Sequence, residues 1–232
     1  MSRKRQLIDR PAPVAPEPGQ VAEAAAALGR ALDAGQAGKL AGYLGLLIEW
    51  NRRMNLVGSS DWRDALSRLV ADSWHLADHL AALPLPDEPR CLDLGAGAGL
   101  PGIPLRIFWT KGEYRLVEIR EKRVVFLRVA LSRLGLPRTF ALRARVEDLG
   151  PDLLPADLVL GRAFKPWPEY LELVRPMLAP AGFAVVFANE PPPEGAVRLY
   201  EGRGFRLHGM TRYETGGGSR YFWTFTPDSA SR

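Results

Sequence analysis

The chain has 232 residues, of which 47% are hydrophobic and 25% charged, with a formal net charge of +5. This is an ordinary globular balance, and the length suits one large α/β domain with an appendage instead of a second full domain. No apolar run reaches the roughly 18 residues of a membrane span, so neither a membrane span nor a membrane partner is expected.

The N-terminal part is predicted to consist of a basic arm followed by helices. Residues 1–20 combine three early basic residues with four prolines and no apolar stretch, which indicates a disordered basic arm and not a signal peptide. Residues 21–53 are predicted to be helical because leucines recur at helical spacing. Another helix is predicted from about Asp61, a possible N-cap, to about Leu83, before a cluster of prolines. We assign residues 21–86 to an N-terminal helical extension.

After Pro89 the pattern changes to alternating strands and helices, which predicts a mostly parallel sheet covered on both faces. The last two strands are joined by Thr-Gly-Gly-Gly-Ser at 215–219, which indicates an antiparallel hairpin. Such an ending favours the methyltransferase variant of the doubly wound fold over the dinucleotide-binding variant. We assign residues 87–228 to this domain. The predicted strands are 90–94, 114–119, 139–143, 156–161, 183–188, 205–210 and 221–226, and the predicted helices begin near Gly102, Glu121, Trp167 and Glu194.

A glycine-rich turn follows the first predicted strand. Asp93 lies between Leu92 and Leu94 at the end of that strand. Gly95, Gly97 and Gly99 follow, and a helix begins at about Gly102. Glycine permits positive φ and close approach of the backbone to a ligand, and ligands of this fold bind beyond the carboxyl ends of the strands. The Asp93 carboxylate suits the ammonium of S-adenosylmethionine (SAM) and would repel a pyrophosphate. We therefore predict a SAM cofactor and a seven-stranded, doubly wound α/β fold of the class I SAM methyltransferase type.

A rival reading of the same glycines is also possible. Gly97, Gly99 and Gly102 match the G-x-G-x-x-G fingerprint of dinucleotide-binding folds, but the first glycine does not follow the strand directly. Glu118 ends the second predicted strand, where an acid can accept hydrogen bonds from both ribose hydroxyls. Glu118 therefore supports a nucleoside ligand without separating SAM from NAD. The alternative is a surface glutamate at a strand end.

Basic residues are concentrated between residues 120 and 145, a stretch that contains eight basic residues and one acidic residue, Glu121. Apolar residues at helical spacing form one face of the predicted helix, which leaves the basic residues outside. Such a cluster attracts phosphates, and its binding weakens with salt. The alternative is a solvated helix face whose counter-charges come from elsewhere. The basic positions are Arg120, Lys122, Arg123, Arg128, Arg133, Arg138, Arg143 and Arg145.

No disulfide and no metal site are predicted. Cys91 is the single cysteine, and we interpret it as a small core residue. His75 and His79 lie one helical turn apart but lack a third ligand at a typical spacing, so we interpret them as helix-surface residues. The tryptophans are interpreted as core residues, although Trp109 and Trp167 leave a base-stacking role open.

Several short motifs between residues 45 and 226 carry a resemblance to a known family. The most specific are the Gly-Leu-Pro-Gly extension of the glycine turn and the Arg-Ala pair after the fourth predicted strand. The chain resembles the RsmG (GidB) family of bacterial 16S ribosomal RNA guanine-N7 methyltransferases. The matching motifs are Trp50-Asn51, Asn55-Leu56, Asp72-Ser73, residues 93–102, Lys122-Arg123, Phe126-Leu127, Arg145-Val146-Glu147, Arg162-Ala163 and Gly218-Ser219-Arg220.

The resemblance implies SAM-dependent methylation of a guanine N7 in 16S rRNA, either as naked RNA or in the 30S subunit. We expect a cytoplasmic monomer. The alternatives are a SAM methyltransferase of a small molecule or protein, and a catalytically silent ribosome- or RNA-binding protein. The cofactor-binding residues expected are Asp93, Gly95, Gly97, Gly99, Leu100, Glu118, Val146, Glu147 and Arg162, and the RNA-binding residues expected are Lys122, Arg123, Arg128 and Arg220.

Two departures from the family pattern fall where RNA or the reaction centre is expected. Leu69 occupies the position of a family histidine, and Asn189-Glu190 occupies that of a Lys-Gly pair. Guanine N7 has an in-plane lone pair and no proton, so its methylation needs no general base. Catalysis would then rest on positioning and electrostatics, and we assign no catalytic residue.

Overall fold

Helices precede the sheet in the computed structural model of the protein, which describes residues 14–193, 195 and 203–228. Residues 1–13 of the predicted arm lie outside the described residues, whereas residues 18–20 already belong to the first helix, which begins earlier than predicted. The helical segments are α1 (Pro18–Ala27), α2 (Ala34–Met54), α3 (Trp62–Ala65), a π-helical turn (Leu66–Val70) and α4 (Ala71–Ala81).

The helical stretch predicted over residues 21–53 is divided into two helices. Gly29 adopts a φ of 82°, a left-handed conformation that glycine tolerates best. Asp33 then caps α2, because its side chain accepts a hydrogen bond from the backbone N–H of Gln36 at 2.8 Å. The N-cap predicted at Asp61 is confirmed, since its side chain accepts from two backbone N–H groups of α3.

The rest of the described chain forms strands and helices that alternate as predicted. The helix predicted near Glu194 falls at 194 and 196–202, which are outside the described residues. The strands are β1 (Arg90–Leu94), β2 (Glu113–Glu118), β3 (Thr139–Arg143), β4 (Ala156–Leu160), β5 (Leu178–Ala188), β6 (Phe205–Thr215) and β7 (Gly218–Pro227), and the helices are α5 (Gly102–Phe108), α6 (Glu121–Leu134) and α7 (Trp167–Val174).

The seven strands of the described ranges form one sheet in the order β3-β2-β1-β4-β5-β7-β6. Strands β1 to β5 pair in parallel, and β7 pairs antiparallel with both β5 and β6. The predicted parallel sheet with a terminal antiparallel hairpin is therefore confirmed. An antiparallel last strand inserted beside β5 distinguishes this topology from a dinucleotide-binding sheet, whose six strands run in the order 3-2-1-4-5-6.

Alternate side chains of the strands enter two buried clusters, one on each face of the sheet. One cluster includes Leu44 of α2 and Trp74 of α4 together with side chains of β1, β2 and α6. The other packs α7 against the opposite face. The extension thus shares a core with the sheet, and the division between residues 86 and 87 stays a prediction. None of the described helices is long and apolar enough to cross a membrane.

Candidate active site

The turn after β1 has the left-handed glycines that its sequence predicted. Gly95, Gly97 and Gly99 have φ values of 68°, 57° and 77°. A side chain at Gly95 would meet the ring of Phe164 at 2.4 Å. A Cβ at Gly97 would lie 3.5 Å from Nη1 of Arg123, its nearest neighbour. Gly97 therefore borders more open space than Gly95, and it is the turn residue best placed for close approach of a ligand.

Side chains of the N-terminal helices form hydrogen bonds with the backbone of this turn and of the residue that follows it. The Tyr43 hydroxyl of α2, which is fully buried, donates a hydrogen bond to the backbone carbonyl of Ala98 at 2.9 Å. The Ser73 hydroxyl of α4 donates to the carbonyl of Pro101 at 3.1 Å. Neither contact was predicted from the sequence, although Ser73 belongs to the matching Asp72-Ser73 motif. The helical extension is therefore part of the site's framework.

Asp93 is a buried carboxylate, and only one of its two oxygens accepts a hydrogen bond among the described residues. Its Oδ2 accepts a hydrogen bond from the Tyr114 hydroxyl at 3.1 Å, whereas Oδ1 has no hydrogen-bond partner among the described residues. Burial raises the pKa of Asp93 to about 7, although the hydrogen bonds from Tyr114 and the Gly102 N–H oppose the shift. A buried acceptor without a partner is costly. A cationic ligand group, such as an ammonium, would satisfy it.

Glu118 is buried at the end of β2 and contacts the glycine turn. Its Oε2 accepts from the backbone N–H of Gly97 at 3.0 Å, and its Oε1 accepts from the N–H of Arg120 at 2.8 Å. A carboxylate has about four lone-pair sites, so two remain for ligand hydroxyls. Nη1 of Arg123 lies 3.7 Å from Oε2. Arg123, expected on the RNA face, therefore sits beside the predicted nucleoside site.

The remaining expected cofactor residues on the β1 to β3 side lie at the same edge of the sheet. Val146 and Glu147 form a 3₁₀ turn directly after β3, with Val146 buried and Glu147 exposed. Leu100 is half-buried at the end of the glycine turn. The carboxyl ends of adjacent parallel strands meet at one edge, and Glu118 pairs in register with Arg143 at the end of β3. Ligands of this fold bind in the crevice outside the carboxyl ends of the strands, so these residues lie where they would border a cofactor.

Arg162 follows β4 and is bound to the N-terminal extension. Its Nη2 lies 2.9 Å from Oδ2 of Asp72, and its Nη1 donates to the carbonyl of Leu69 at 3.2 Å. Oδ1 of Asp72 accepts from the Tyr213 hydroxyl. Burial raises the pKa of Asp72, and the Arg162 charge opposes that shift. The Arg162 charge also opposes the rise that burial causes in the pKa of Asp93. The expected cofactor residue is thus near the cofactor turn but has a protein partner that the sequence did not predict.

The basic stretch is partly neutralised within the fold. Lys122 and Arg128 are exposed on α6 and form no ion pair within the described ranges. Arg220, also expected to bind RNA, is half-buried, and its charge opposes the rise that burial causes in the pKa of Asp72. The arginines of the stretch with acidic partners are Arg123 with Glu118, Arg138 with Glu88 and Arg143 with Glu121. Counter-charges within the fold therefore account for these three arginines, whereas phosphate binding by Lys122 and Arg128 stays a prediction.

His79 is not a helix-surface residue, which corrects that interpretation. Its side chain is buried because α4 packs against the β6–β7 hairpin, and its ring nitrogens hydrogen-bond the hydroxyls of Thr211 at 2.9 Å and Thr224 at 2.6 Å. Burial lowers its pKa to about 4. The His75 ring lies tilted against the Tyr213 ring, at a centroid distance of 5.0 Å, instead of pairing with His79. In the part of the chain that the structure describes, no three His, Cys, Asp or Glu residues form a possible metal site.

The strand order, the glycine turn after β1 and the acid at the end of β2 together define a class I SAM-dependent methyltransferase. The family model GidB, described as rRNA small subunit methyltransferase G, matches residues 36–194. The chain belongs to this family, as the sequence motifs predicted.

Curated relatives agree with this assignment. The chain is 50% identical over 188 residues to Ribosomal RNA small subunit methyltransferase G of Nitratidesulfovibrio vulgaris, covering 81% of this chain and 84% of that protein. It is 42% identical over 226 residues to the protein of the same name from Oleidesulfovibrio alaskensis, covering 95% and 98%. Among solved structures, Methanocaldococcus jannaschii Trm5 in complex with adenosine has a TM-score of 0.51 at 9% identity, covering 68% of this chain and 48% of that one. That likeness concerns the fold alone.

Proposed function

We propose that this protein is a SAM-dependent methyltransferase that methylates N7 of a guanine in 16S rRNA. The observation that carries the proposal is the family match, which spans residues 36–194 and so includes the glycine turn, Glu118 and Arg162. We further propose that the enzyme acts as a cytoplasmic monomer on naked 16S rRNA or on the 30S subunit.

The residues around the turn suit SAM. When bound, SAM supplies a methyl group attached to a positively charged sulfur. The buried Oδ1 of Asp93 would accept from the ammonium of the cofactor, and the two free acceptor sites of Glu118 would accept from the ribose hydroxyls. Val146 and Glu147 lie where they would border the adenine, after β3. An NAD pyrophosphate would instead meet the negative charge of Asp93.

Methyl transfer to guanine N7 needs no general acid or base. Guanine N7 carries a lone pair and no proton, so no side chain must remove one, and Leu69 in place of a family histidine does not prevent the reaction. The protein's task is to hold N7 in line with the methyl group, an effect worth up to about 7–11 kcal/mol for well-oriented reactants. The Tyr43 and Ser73 hydrogen bonds serve this task because they fix the turn.

Exposed cations beside the crevice supply the attraction for RNA. Lys122 and Arg128 on α6 are exposed and without acidic partners in the described ranges, so they can contact phosphates. Arg123 lies between this surface and Glu118. Its charge can serve either the cofactor side or the RNA side of the crevice.

The test compares rRNA from a deletion strain with rRNA from its parent by sequencing of chemically cleaved 7-methylguanosine sites. We expect one 16S site to be lost in the deletion strain and restored by the wild-type gene. The gene for the Gly97→Val variant is the negative control and should fail to restore methylation at this site, because valine at a φ of 57° is strained and fills the ligand space. Purified enzyme with radiolabelled SAM and either 30S subunits or naked 16S rRNA identifies the substrate form. Identical methylation profiles in the two strains would exclude the proposed target.

A further inference from the structure

A buried ion pair joins the N-terminal extension to the edge of the sheet where the expected cofactor residues lie. Asp72, near the start of α4, pairs with Arg162, which follows β4, and the side chain of Asp72 is only 4% exposed. The desolvation cost of a buried pair often equals or exceeds the attraction between its charges, so stability alone does not account for it. Asp72 was not among the expected site residues.

Contacts from several elements fix the geometry of this pair. Nη2 of Arg162 lies 2.9 Å from Oδ2 of Asp72, and Nη1 donates to the backbone carbonyl of Leu69 at 3.2 Å. Oδ1 of Asp72 accepts from the Tyr213 hydroxyl of β6 at 3.2 Å. Ala163, directly after Arg162, has a φ of 51°, a left-handed conformation that is costly in a residue other than glycine. The backbone and the partners of Arg162 therefore both hold its guanidinium in place.

The π-helical turn supplies one of these partners and also binds the hairpin. The backbone N–H of Ala71 bonds to the carbonyl of Leu66, five residues earlier, whereas in an α-helix it would bond to that of Ser67. The Ser67 carbonyl instead accepts from the backbone N–H of Gly216 at the tip of the β6–β7 hairpin, at 3.1 Å. Such turns are rare and occur frequently at functional sites. This turn therefore connects the extension to the hairpin and, through Leu69, to the segment after β4.

The Arg162 charge lies within electrostatic reach of Asp93. Arg162 comes two residues after the end of β4, the strand that pairs with β1 beside Asp93, and its charge opposes the rise that burial causes in the pKa of that carboxyl. Ser73, the neighbour of Asp72 in α4, donates to the carbonyl of Pro101 at the end of the glycine turn. Two consecutive residues of α4 thus contact the loops that follow β1 and β4.

We propose that Asp72 is a positioning residue, which holds Arg162 so that its remaining N–H donors bind the carboxylate of the methionine end of SAM. The inference rests on the proposed SAM-dependent function and adds a partner for the anionic group of the cofactor beside Asp93, the partner of its ammonium. A guanidinium has five N–H donors in a planar fork that matches a carboxylate. Among the described residues, the contacts with Asp72 and Leu69 use two of the five.

Asp72 would act through geometry and not through its charge. A negative charge beside Arg162 repels a ligand carboxylate, so its removal without movement of Arg162 would tighten the binding of SAM. An arginine that has lost its anchor instead regains the rotamer freedom of a long side chain, and its fork must be ordered again when the ligand binds. The two effects change the affinity for SAM in opposite directions.

The test compares two ligands by calorimetry: SAM, and decarboxylated SAM, which lacks only the carboxylate. Asp72→Asn should weaken the binding of SAM roughly ten- to a hundredfold and change that of decarboxylated SAM by less than about threefold, because hydrogen bonds between charged groups are lost only with SAM. Arg162→Gln should show the same selectivity, and the double variant should bind no more weakly than Arg162→Gln. The matched control is Asp78→Asn, which breaks an exposed ion pair of α4 with Arg30 and should leave both affinities unchanged.

Tyr213→Phe is a milder variant that keeps the ion pair and removes only the hydroxyl bonded to Asp72, so it gives the same test if Asp72→Asn does not fold. It should weaken the binding of SAM roughly two- to tenfold and leave that of decarboxylated SAM unchanged. Equal losses for the two ligands would show a purely structural role, and unchanged or tighter binding of SAM in the folded variants would likewise overturn the assignment. A wild type that binds SAM with this selectivity but does not methylate 16S rRNA would instead refute the proposed function.

Discussion

Replacement of Asp93 by asparagine removes one negative charge from a buried site and keeps the shape of the side chain. The folded-state pKa of Asp93 is about 7, compared with an ordinary value of 3.8. Because the folded-state pKa is raised, the folded protein binds the proton more tightly, and stability falls as the pH rises from about 4 to 7. Above pH 7 the ionised group costs up to about 4 kcal/mol relative to the unfolded chain.

Asp93→Asn removes this cost but leaves an amide N–H unpaired, which costs about 1–3 kcal/mol. At pH 8 we expect the apo variant to be more stable than wild type by about 1–3 kcal/mol, or roughly 3–10 °C in Tm. The gain should shrink as the pH falls toward 4, because the buried wild-type carboxyl is then protonated and no longer carries the cost of a buried charge. SAM should bind more weakly by about ten- to a hundredfold, because a hydrogen bond to a charged group is lost.

The assay combines thermal unfolding at pH 5 and pH 8 with calorimetric titration of SAM at pH 8. Asp87→Asn, on an exposed loop, is the matched control and should leave both quantities unchanged. A variant with lower Tm at pH 8 and unchanged SAM affinity would refute the reasoning. Asp93 would then have a purely structural role through its bond with Tyr114.

Three further predictions concern other charged and titratable groups. Arg106 is fully buried and donates to five backbone carbonyls and the Thr139 hydroxyl. Arg106→Met should therefore lower the free energy of unfolding, measured by urea titration, by about 3–5 kcal/mol. The control Arg133→Met, at an exposed position, should change it by less than about 0.5 kcal/mol. The folded-state pKa of His79 is about 4, below the ordinary 6.5. The contribution of His79 to stability should therefore fall by up to about 3 kcal/mol as the pH drops from 6.5 to 4. This contribution is measured as the difference in stability between wild type and His79→Gln, and a difference that does not change with pH would contradict the prediction. Lys122→Ala with Arg128→Ala should weaken RNA binding and lower the slope of log affinity against log salt by about two, and an unchanged slope would place the RNA elsewhere.

The amino-acid sequence by itself determined the features that depend on local pattern. Alternating strands and helices predicted the doubly wound sheet, the Thr-Gly-Gly-Gly-Ser segment predicted the terminal hairpin, and the spaced glycines after Asp93 predicted the left-handed turn. These features need only neighbours in the chain, because the period of apolar residues and the freedom of glycine are local properties. The order of the elements then restricted the fold to few topologies.

Only the tertiary structure decided which polar side chains meet. Arg162 pairs with Asp72, Arg123 lies beside Glu118, and His79 bonds to hydroxyls on the distant hairpin. Each contact joins residues on different elements, and its geometry depends on how helices rotate and pack on the sheet. Helical periodicity identifies the buried face of α4 or α6 but not the element that the face will meet. The orphan oxygen of Asp93 likewise exists only once β1, β2 and β4 are adjacent.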